Sequence, residues 1–596
     1  MTYRFNISKD NAKNSLLSDF GVSILQDRYL FKDEDIQDLF VRVSCYYADD
    51  ESHAQRLYNY MSSMWFMPAT PVLANGGTTR GLPISCFLNE AQDSLESINS
   101  LWNENVHLAS NGGGIGSYFG NIRSINEPIK DKGYTSGIIP FIKVTDSMTL
   151  AISQGSLRRG SAAVYLQIDH PEIEEFIDIR RPTGGDANRR CLNIHHGVVI
   201  TDEFMDAVST GKAFELKSPH TGLVTGSVSA RDLWIKLLNT RVETGEPYML
   251  FIDSVNRAIP KHHQDLGLRV KTSNLCSEIT LPTGVDYDNK ERTAVCCLSS
   301  LNLEYYEQWE QNPDFIPDVM RFLDNVLQDF IDNAPDGMAR AKYSAMMERS
   351  VGLGVMGFHS FLQSKMIPFE SVVAKSWNKR MFKKIKEECD KISVILATEK
   401  APCPDAAKCG IKERFSNKIA IAPTASISVI TGNASPGIEP YVANTFTQKT
   451  ISGSFVVRNK YLVKLLQQKG MDRSEIWSSI STNAGSVQHL DCLTPDEKLI
   501  FKTAFEMNQM WLIEHAADRT PYICQAQSLN LFFSSDVDKK HLHITHYEAW
   551  KRGVKSLYYC RSRSIQRADN VSGMGDSVIK SDISEVSKYE ECVACQ

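Results

Sequence analysis

The stretch Ser273-Asn274-Leu275-Cys276-Ser277-Glu278 places a thiol between an amide and a carboxylate. Twenty residues further on, Cys296 begins the run Cys296-Cys297-Leu298-Ser299-Ser300-Leu301-Asn302, and far upstream Cys86 follows Ser85. The chain ends in Cys592-Val593-Ala594-Cys595-Gln596. One thiol alone suggests a nucleophile, whereas several thiols with a terminal dithiol suggest that electrons pass between sulfur atoms.

The composition is that of a globular protein with one large domain and appendages. The chain has 596 residues, of which 42% are hydrophobic, so a sizeable core can form. Its net charge of -6 argues against general nucleic-acid coating, which needs a basic surface. The 14 cysteines do not suggest a disulfide framework in so long a chain, and we expect mostly buried, reduced thiols.

The sequence predicts neither a membrane segment nor a secretion signal. Eighteen apolar residues never occur in a row, and the start MTYRFNISKDNAKNS lacks an apolar stretch. We therefore expect a cytoplasmic protein that binds neither a membrane nor a nucleic acid.

The first part of the chain reads as a helical lead-in, residues 1–67. Residues 30–66 alternate apolar and charged positions at helical spacing. Pro68-Ala69-Thr70-Pro71 then breaks the helix, and residues 72–77 open a loop. A longer segment, residues 68–562, follows from this point.

Short apolar runs alternate with helical stretches through residues 68–562. Pro171 suits the first position of a helix over residues 172–180. The predicted strands are residues 163–168, 198–200, 248–252 and 419–421. Continuous apolar strands separated by helices favour an α/β domain in which parallel strands are covered on both faces.

The last 34 residues differ in character from the rest. Residues 563–596 hold few large apolar side chains and end in Cys-x-x-Cys, which predicts a mobile redox arm. Two alternatives are a disordered end with incidental cysteines and half of a zinc site. No second Cys-x-x-Cys lies close in sequence to complete four zinc ligands, so we expect no metal there.

The residues Asn274, Cys276 and Glu278 alternate along the chain. In an extended segment or a tight loop, side chains at positions i and i+2 share one side, so an amide, a thiol and a carboxylate can face one ligand. Such a set suits removal of a proton and a hydrogen atom from an alcohol carbon. The alternative is that Cys276 is a small buried hydrophobic residue, the commonest role of a free cysteine.

Seven motifs in order resemble the large catalytic subunit of a class I, aerobic ribonucleotide reductase, from about Pro68 to the last residue. The matching motifs are Pro68-Ala69-Thr70-Pro71, Ser85-Cys86, Asn274 to Glu278, Cys296 to Asn302, Ala422 to Ser428, Leu557-Tyr558-Tyr559 and the terminal dithiol. The resemblance implies a ten-stranded α/β barrel of two five-stranded parallel halves, with Cys276 on a central finger loop. An N-terminal helical region and a flexible C-terminal tail would flank the barrel.

The resemblance assigns roles to the matched positions. Cys276 would carry a thiyl radical that removes the 3′ hydrogen of the ribose, Glu278 would take the 3′ hydroxyl proton, and Asn274 would bond the sugar. Cys86 and Cys296 would be the reducing pair. Cys297 leaves a register error of one position open, although the following Leu298-Ser299 favours Cys296.

The resemblance also implies two protein partners. Tyr558 and Tyr559 would relay the radical from a small, metal-containing subunit, because phenol oxidation can carry a hole over long distances. A core role for both tyrosines is the ordinary alternative. Cys592 and Cys595 would reset the active-site disulfide and then be reduced by a thioredoxin or a glutaredoxin. No cofactor would be bound covalently to this chain.

Two nucleotide sites follow from the matches. The substrate, a ribonucleoside diphosphate by resemblance alone, would contact Thr70, Ser85, Cys86, Gly114, Asn274, Leu275, Cys276, Ser277, Glu278, Pro423, Thr424, Ala425, Ser426 and Ile427. An effector, a deoxynucleoside triphosphate or ATP, would contact Asp93, Ser94, Leu95, Arg123, Arg158 and Arg159. The alternatives are an ordinary helix start at Ser426 and a solvated basic turn at residues 156–161.

Three further expectations complete the interpretation. Effector binding would promote a homodimer. The resemblance begins within about seventy residues of Met1, which leaves no room for an N-terminal activity module, so we expect no shut-off by dATP. Other possibilities are a cobalamin-dependent reductase, a catalytically silent nucleotide-binding regulator and a zinc-dependent adaptor.

Overall fold

The N-terminal region is helical, as its sequence predicts. The computed structural model describes residues 4–154, 158–450, 453–534 and 536–562. Asp35 and Asp38 form a capping box that starts one of the first helices, and Leu39 and Phe40 lie fully buried on its inner face. The lead-in therefore packs against the rest of the core as an amphipathic layer.

The described strands, in chain order, are β1 Phe66–Pro68, β2 Cys86–Glu90, β3 Gly114–Tyr118, β4 Ser153–Gln154, β5 Arg158–Arg159, β6 Ser161–Gln167, β7 His195–Ile200, β8 Ala213–Lys217, β9 Val224–Ser229, β10 Tyr248–Phe251, β11 Gly284–Val285, β12 Glu291–Arg292, β13 Ala294–Asn302, β14 Val351–Met356, β15 Thr445–Thr450, β16 Gly453–Arg458, β17 Leu531–Phe533, β18 Ser556–Leu557 and β19 Cys560–Ser562.

The α-helices of the same residues, in chain order, are α1 Asp19–Arg28, α2 Ile36–Tyr47, α3 Glu51–Ser62, α4 Thr70–Asn75, α5 Leu95–Ser110, α6 Ile139–Ala151, α7 Ile173–Asp178, α8 Asp202–Thr210, α9 Ala230–Thr244, α10 Ile252–Arg257, α11 Lys261–Asp265, α12 Tyr306–Trp309, α13 Phe315–Asn333, α14 Ala339–Glu348, α15 Phe358–Ser364, α16 Val372–Lys400, α17 Pro404–Lys408, α18 Ile427–Ile430, α19 Lys460–Gln468, α20 Ser474–Thr482, α21 Pro495–Ile500, α22 Gln509–Arg519 and α23 Lys539–Lys551. Across the described ranges, no helix is both long enough and apolar enough to cross a bilayer.

The first half of the barrel is a parallel sheet. Strands β2, β3, β6, β7 and β10 lie side by side, each parallel to the next. Their central residues are fully buried, as in Ala163–Leu166 of β6. Strands covered on both faces need continuous apolar runs, which is what the sequence pattern of this segment predicts.

The second half runs in the opposite direction. Strand β13 is parallel to β14, Leu353 of β14 bridges Ile419, Ile421 bridges Gln527, and β17 is parallel to β19. Antiparallel ladders join the halves, β2 to β13 on one side and β10 to β18 on the other. The barrel fold that the resemblance implied is therefore confirmed.

Three details of the sequence interpretation were wrong. Residues 72–75 are not a loop, because Pro71 occupies the first turn of α4 and starts a helix there. The helix after Pro171 is shorter than predicted and begins at Ile173, with Glu172 as its N-cap. Residues 419–421 form isolated bridges instead of a regular strand.

Candidate active site

The finger loop, residues 272–280, has no regular secondary structure and is almost fully buried inside the barrel. Its backbone presses against β3, since a Cβ atom at Gly116 would lie 1.7 Å from the carbonyl oxygen of Ser273. The Tyr165 hydroxyl donates to the carbonyl oxygen of Asn274 at 2.7 Å. These contacts fix the loop against the first half of the barrel.

Cys276 lies at the end of a chain of tyrosines. The hydroxyl oxygen of Tyr558 is 3.5 Å from its sulfur, and the rings of Tyr558 and Tyr559 have centroids 4.2 Å apart. Tyr248 packs against both rings, with centroid distances of 4.8 and 5.1 Å. The structure therefore brings Cys276, Tyr558 and Tyr559 together in one row.

Glu278 is a buried carboxyl with an unusual pKa. Burial raises its pKa to about 7, and hydrogen bonds from Ser528 and Asn274 oppose part of this shift. The Ser528 hydroxyl lies 2.9 Å from Glu278 Oε2 and 2.5 Å from the carbonyl oxygen of Cys276. Glu278 Oε1 has no hydrogen-bond partner within the described ranges. A carboxyl that titrates near neutral pH suits proton transfer.

Asn274 faces the same interior. Its Oδ1 accepts a hydrogen bond from the backbone N–H of Ile279 at 3.1 Å, which closes the turn around Cys276. Ser277 adopts a positive φ of 66° within this turn, and Leu275 is fully buried. The amide, thiol and carboxylate thus lie in one tight turn, which is one of the two geometries in which this spacing lets them face one ligand.

Cys86 and Cys296 are directly opposed on the antiparallel strands β2 and β13. Opposed residues of such a pair have Cα atoms about 4.5–5.5 Å apart, within the range that a disulfide spans. Both side chains are buried. Burial holds the pKa of Cys296 well above its usual value, and a hydrogen bond from Gln525 opposes that effect.

Cys297 faces away from this pair. Neighbouring residues of a strand point to opposite faces. Cys86 lies within electrostatic range of both cysteines, but Cys296 also lies near Glu278 and Gln525, whereas Cys297 lies near Asp329 and Tyr47. The geometry favours the register with Cys296 in the site.

The predicted phosphate turn follows the bridge at Ile421. Thr424 has a φ of 56°, and its Oγ1 accepts from the backbone N–H of Gly437 at 2.7 Å, so the turn is held in a fixed shape. Pro423, Ala425 and Ser426 are half-buried, and Ile427 starts the four-residue helix α18. This turn lies at the carboxyl end of its half of the barrel.

Ser85, Cys86 and Gly114 lie at the amino end of the other half, because the N–H of Gly114 donates to Ser85 O and Cys86 pairs with Gly114. The two halves are antiparallel, so these residues and the phosphate turn share one end of the barrel. Thr70, beside them at the start of α4, lies 2.7 Å from the Tyr29 hydroxyl oxygen.

The predicted effector residues fall into two groups. Asp93 pairs with Arg123 at 2.9 Å and with His220 at 2.7 Å, Ser94 caps α5, and Leu95 is 73% exposed. Arg158 and Arg159 form β5, which pairs with β4 near Ala109 at the other end of α5. A helix of 16 residues is about 24 Å long, so the two groups are separated within one chain.

Some predictions lie outside the described residues, and some site residues escaped prediction. Cys592, Cys595 and the first two residues of the loop 156–161 fall outside the described ranges. Gln525, Ser528, Tyr165 and Gly116 contact the site but were not predicted. One available signal for Gln525 and Ser528 was the polar run Gln525-Ala526-Gln527-Ser528 shortly before the apolar strand β17.

Comparisons with known proteins agree with this geometry. The family model described as "Ribonucleotide reductase, barrel domain" matches residues 84–413 and 405–560, and "Ribonucleotide reductase, all-alpha domain" matches residues 15–81. The chain is 42% identical to the ribonucleoside-diphosphate reductase large subunit of Invertebrate iridescent virus 3, over 95% of this chain and 97% of that protein. Identity to the large subunit of Danio rerio is 30%, over 93% of this chain and 78% of that protein.

A solved structure is also similar. The alpha subunit of the Actinobacillus ureae class Id ribonucleotide reductase superposes with a TM-score of 0.81 and 33% identity, over 94% of this chain and 99% of that chain. These comparisons support neither the cobalamin-dependent alternative nor the silent regulator. The chain belongs to the ribonucleotide reductase family, as a large subunit of class I type.

Proposed function

We propose that this large subunit reduces ribonucleoside diphosphates to 2′-deoxyribonucleoside diphosphates by thiyl-radical chemistry. The observation that carries the proposal is the contact of Tyr558 with Cys276, at 3.5 Å from hydroxyl oxygen to sulfur. This contact links a path for an electron hole to a buried thiol beside a carboxyl group.

The first chemical step is removal of the 3′ hydrogen atom by the Cys276 thiyl radical. Glu278 accepts the proton of the 3′ hydroxyl as the 2′ C–O bond weakens. Its pKa of about 7 supports this role, because a base near the working pH exists in both protonation states. Asn274 bonds the sugar and steadies the carboxylate.

The second step consumes two thiols. The 2′ hydroxyl leaves as water after it takes a proton, and Cys86 and Cys296 supply two electrons and finish as a disulfide. The opposed positions of the two cysteines on β2 and β13 support this step. The Cys276 thiol then returns its hydrogen atom to C3′ and becomes a thiyl radical again. It takes a hydrogen atom from Tyr558, so the radical passes back along Tyr558 and Tyr559.

The radical comes from a small, metal-containing subunit. The row from Tyr559 to Cys276 supports this partner, since aromatic rings in contact suit a stepwise relay. The disulfide of Cys86 and Cys296 is then reset by Cys592 and Cys595, which a thioredoxin or glutaredoxin reduces in turn.

Nucleotides bind at two places in this proposal. The substrate diphosphate lies on the turn from Pro423 to Ile427, whose backbone N–H groups and hydroxyls suit an anion. A deoxynucleoside triphosphate or ATP binds at Asp93 and Arg123 and promotes a homodimer. In that dimer, residues 158–159 of one subunit meet the Asp93 group of the other subunit. The two parts of the effector site, which lie far apart within one chain, would then come together across the dimer interface.

Cys276→Ser tests the proposal when assayed with the cognate small subunit and a small dithiol. We expect no deoxynucleotide, because a serine hydroxyl does not form the required radical, while substrate binding is retained. Cys297→Ser is the matched control, a buried cysteine that faces away from the site, and it should keep most of the activity. Deoxynucleotide formation by Cys276→Ser would disprove the proposal.

A further inference from the structure

Gln525 is a buried side chain that touches the sulfur of Cys296. Its Nε2 lies 3.6 Å from Cys296 Sγ and 3.1 Å from the carbonyl oxygen of Val351, and its Oε1 accepts from the N–H of Thr280 at 3.3 Å. Gln525 is fully shielded from solvent. Its amide therefore connects the reducing cysteine to the finger loop that carries Cys276.

The position of this amide is fixed from several sides. The Lys555 ammonium donates to the carbonyl oxygens of Ile523, Cys524 and Gln525 at 2.7, 2.9 and 2.7 Å. On the other side of the sulfur, a Cβ atom at Gly352 would lie only 2.9 Å from Cys296 Sγ. The backbone that carries the donor is therefore held in place, and the sulfur packs closely against Gly352.

We propose that the Gln525 amide is a catalytic hydrogen-bond donor, which stabilises negative charge on the Cys296 sulfur when the Cys86–Cys296 disulfide opens or forms. This inference rests on the proposed function, which supplies the disulfide. It adds a residue that touches a reacting atom, and it explains why a glutamine occupies this dry site.

The need for such a donor follows from the surroundings of the sulfur. Burial disfavours a thiolate at Cys296, and the neighbouring ionisable groups are Cys86, Cys297 and Glu278, none of which is cationic. A preorganised N–H aimed at the developing charge costs no reorganisation during the reaction. Gln525 thus supplies the stabilisation that water gives to an exposed thiolate.

The step balances as thiol–disulfide exchange. A thiolate from a dithiol reductant attacks the Cys86 sulfur, a new S–S bond forms, and the old S–S bond breaks. The electron pair leaves with Cys296 as a thiolate, which the Gln525 amide stabilises until a proton arrives. When the disulfide forms during turnover, the contact between the Gln525 amide and Cys296 Sγ lowers the free energy of the Cys296 thiolate.

Gln525→Met removes the donor and keeps the side-chain length. Gln527→Met is the matched control, because Gln527 is also buried and its Nε2 donates to Ala516 O and Thr520 Oγ1 instead. Both variants lose one buried amide of the same short segment, so a general effect on folding should be similar in both.

The first measurement is the rate at which a small dithiol reopens the Cys86–Cys296 disulfide, followed by acid quenching, alkylation and mass spectrometry. We expect reopening to be about tenfold slower in Gln525→Met, the effect of roughly one hydrogen bond. The rate of Gln527→Met should lie within about twofold of that of the unsubstituted protein, the range of most changes away from a site. Equal rates in the two variants would overturn the proposal, whatever their melting temperatures.

The second measurement does not depend on radical chemistry. In a Cys86→Ser background, methyl methanethiosulfonate labels Cys296, and labelling at pH 8 should be about tenfold slower with Gln525→Met than with Gln527→Met. The difference should vanish in denaturant. If the unsubstituted protein with its small subunit made no deoxynucleotide, the proposed function would fail, whereas this labelling would still decide the role of Gln525.

Discussion

The hydroxyl oxygen of Tyr558 lies 3.5 Å from the sulfur of Cys276, although 282 positions separate the two residues in the chain. Two different parts of the fold produce this contact. The Tyr558 backbone N–H donates to Leu529 O, and Gly116 and Tyr165 hold the finger loop on the first half of the barrel. The contact therefore depends on the closed barrel.

Tyr558→Phe should abolish turnover with the cognate small subunit. The phenylalanine ring fills the same space but lacks the phenol hydroxyl, and a benzene ring is much harder to oxidise than a phenol. The electron hole therefore cannot reach Cys276. We expect kcat to fall by more than about a thousandfold, because every turnover needs the radical to pass through Tyr558 and the other members of the relay cannot replace it. Deoxynucleotide formation should be measured together with the binding of substrate, which should be unchanged.

Tyr306→Phe is the control for that substitution. Tyr306 is fully buried in α12 and its hydroxyl bonds Glu310, far from the relay. The Tyr306→Phe variant should keep its activity and lose only a modest part of its stability. A relay role for Tyr558 is excluded if Tyr558→Phe turns over as fast as Tyr306→Phe.

Glu278→Gln should stabilise the protein, and more so as pH rises. Burial raises the pKa of Glu278 to about 7 in the folded protein, whereas its ordinary value is 4.5. Between pH 4.5 and about pH 7, Glu278 keeps its proton in the folded state but has lost it in the unfolded chain. The stability from this group is thus complete below about pH 4.5 and is lost as pH rises through about 7.

Glutamine at position 278 does not ionise, so the variant avoids that loss. Its gain in free energy of unfolding over the unsubstituted protein should grow by on the order of 2–3 kcal/mol from pH 5 to pH 8. Urea titrations at both pH values measure this difference. A gain that is equal at both pH values would refute the assignment.

Arg123→Ala should weaken binding of a nucleoside triphosphate effector by about tenfold or more, because it removes a guanidinium that can pair with phosphate. Arg321→Ala is the control, since Arg321 forms a comparable surface ion pair with Glu399 at 2.6 Å. Equilibrium dialysis with a labelled deoxynucleoside triphosphate measures the effect. Equal affinity in both variants would place the effector elsewhere.

A double variant, Cys592→Ser with Cys595→Ser, should separate the two reductants. Small dithiols reach the active-site disulfide directly, so activity with dithiothreitol should persist. Activity with thioredoxin should fall to background, because the large reductase has no intermediate dithiol to reduce. Cys409→Ser with Cys492→Ser, two half-buried thiols elsewhere, is the control. Normal turnover with thioredoxin would eliminate the delivery role.

The residues to which the proposal assigns the chemistry could be selected from the sequence because they lie in motifs that resemble those of the ribonucleotide reductase family. By itself Cys276 could be a buried hydrophobic residue, and the resemblance is what links Cys86 to Cys276 and Glu278 although 190 positions separate the two cysteines. The apolar strands could be predicted for a similar reason, since burial on both faces permits only apolar runs. The structure brings these separated groups together at one barrel interior.

Supporting residues could not be predicted in the same way. Ser528 and Gln525 are common polar residues, and only their contacts with Glu278 and Cys296 distinguish them. The helical turn at Thr70–Asn75 escaped prediction because Pro71 stops one helix and starts another equally well. Tertiary contacts decide such cases, and a local pattern does not contain them.

Gly116→Ala should distort the active site from outside it. The added Cβ would lie 1.7 Å from the Ser273 carbonyl oxygen, so the finger loop must shift. We expect a loss of about 2 kcal/mol or more in stability. Turnover should fall by about a hundredfold, because small displacements of reacting groups are costly.

Gly226→Ala in β9 is the matched control, since a Cβ there meets no atom within 4 Å. It should leave turnover unchanged and raise stability slightly, by about 0.5 kcal/mol, because alanine loses less backbone freedom on folding. Urea denaturation and steady-state turnover of the two variants measure both effects. If Gly116→Ala keeps full activity, β3 does not hold the finger loop in place, and Cys276 must be positioned by Tyr558 and the second half of the barrel.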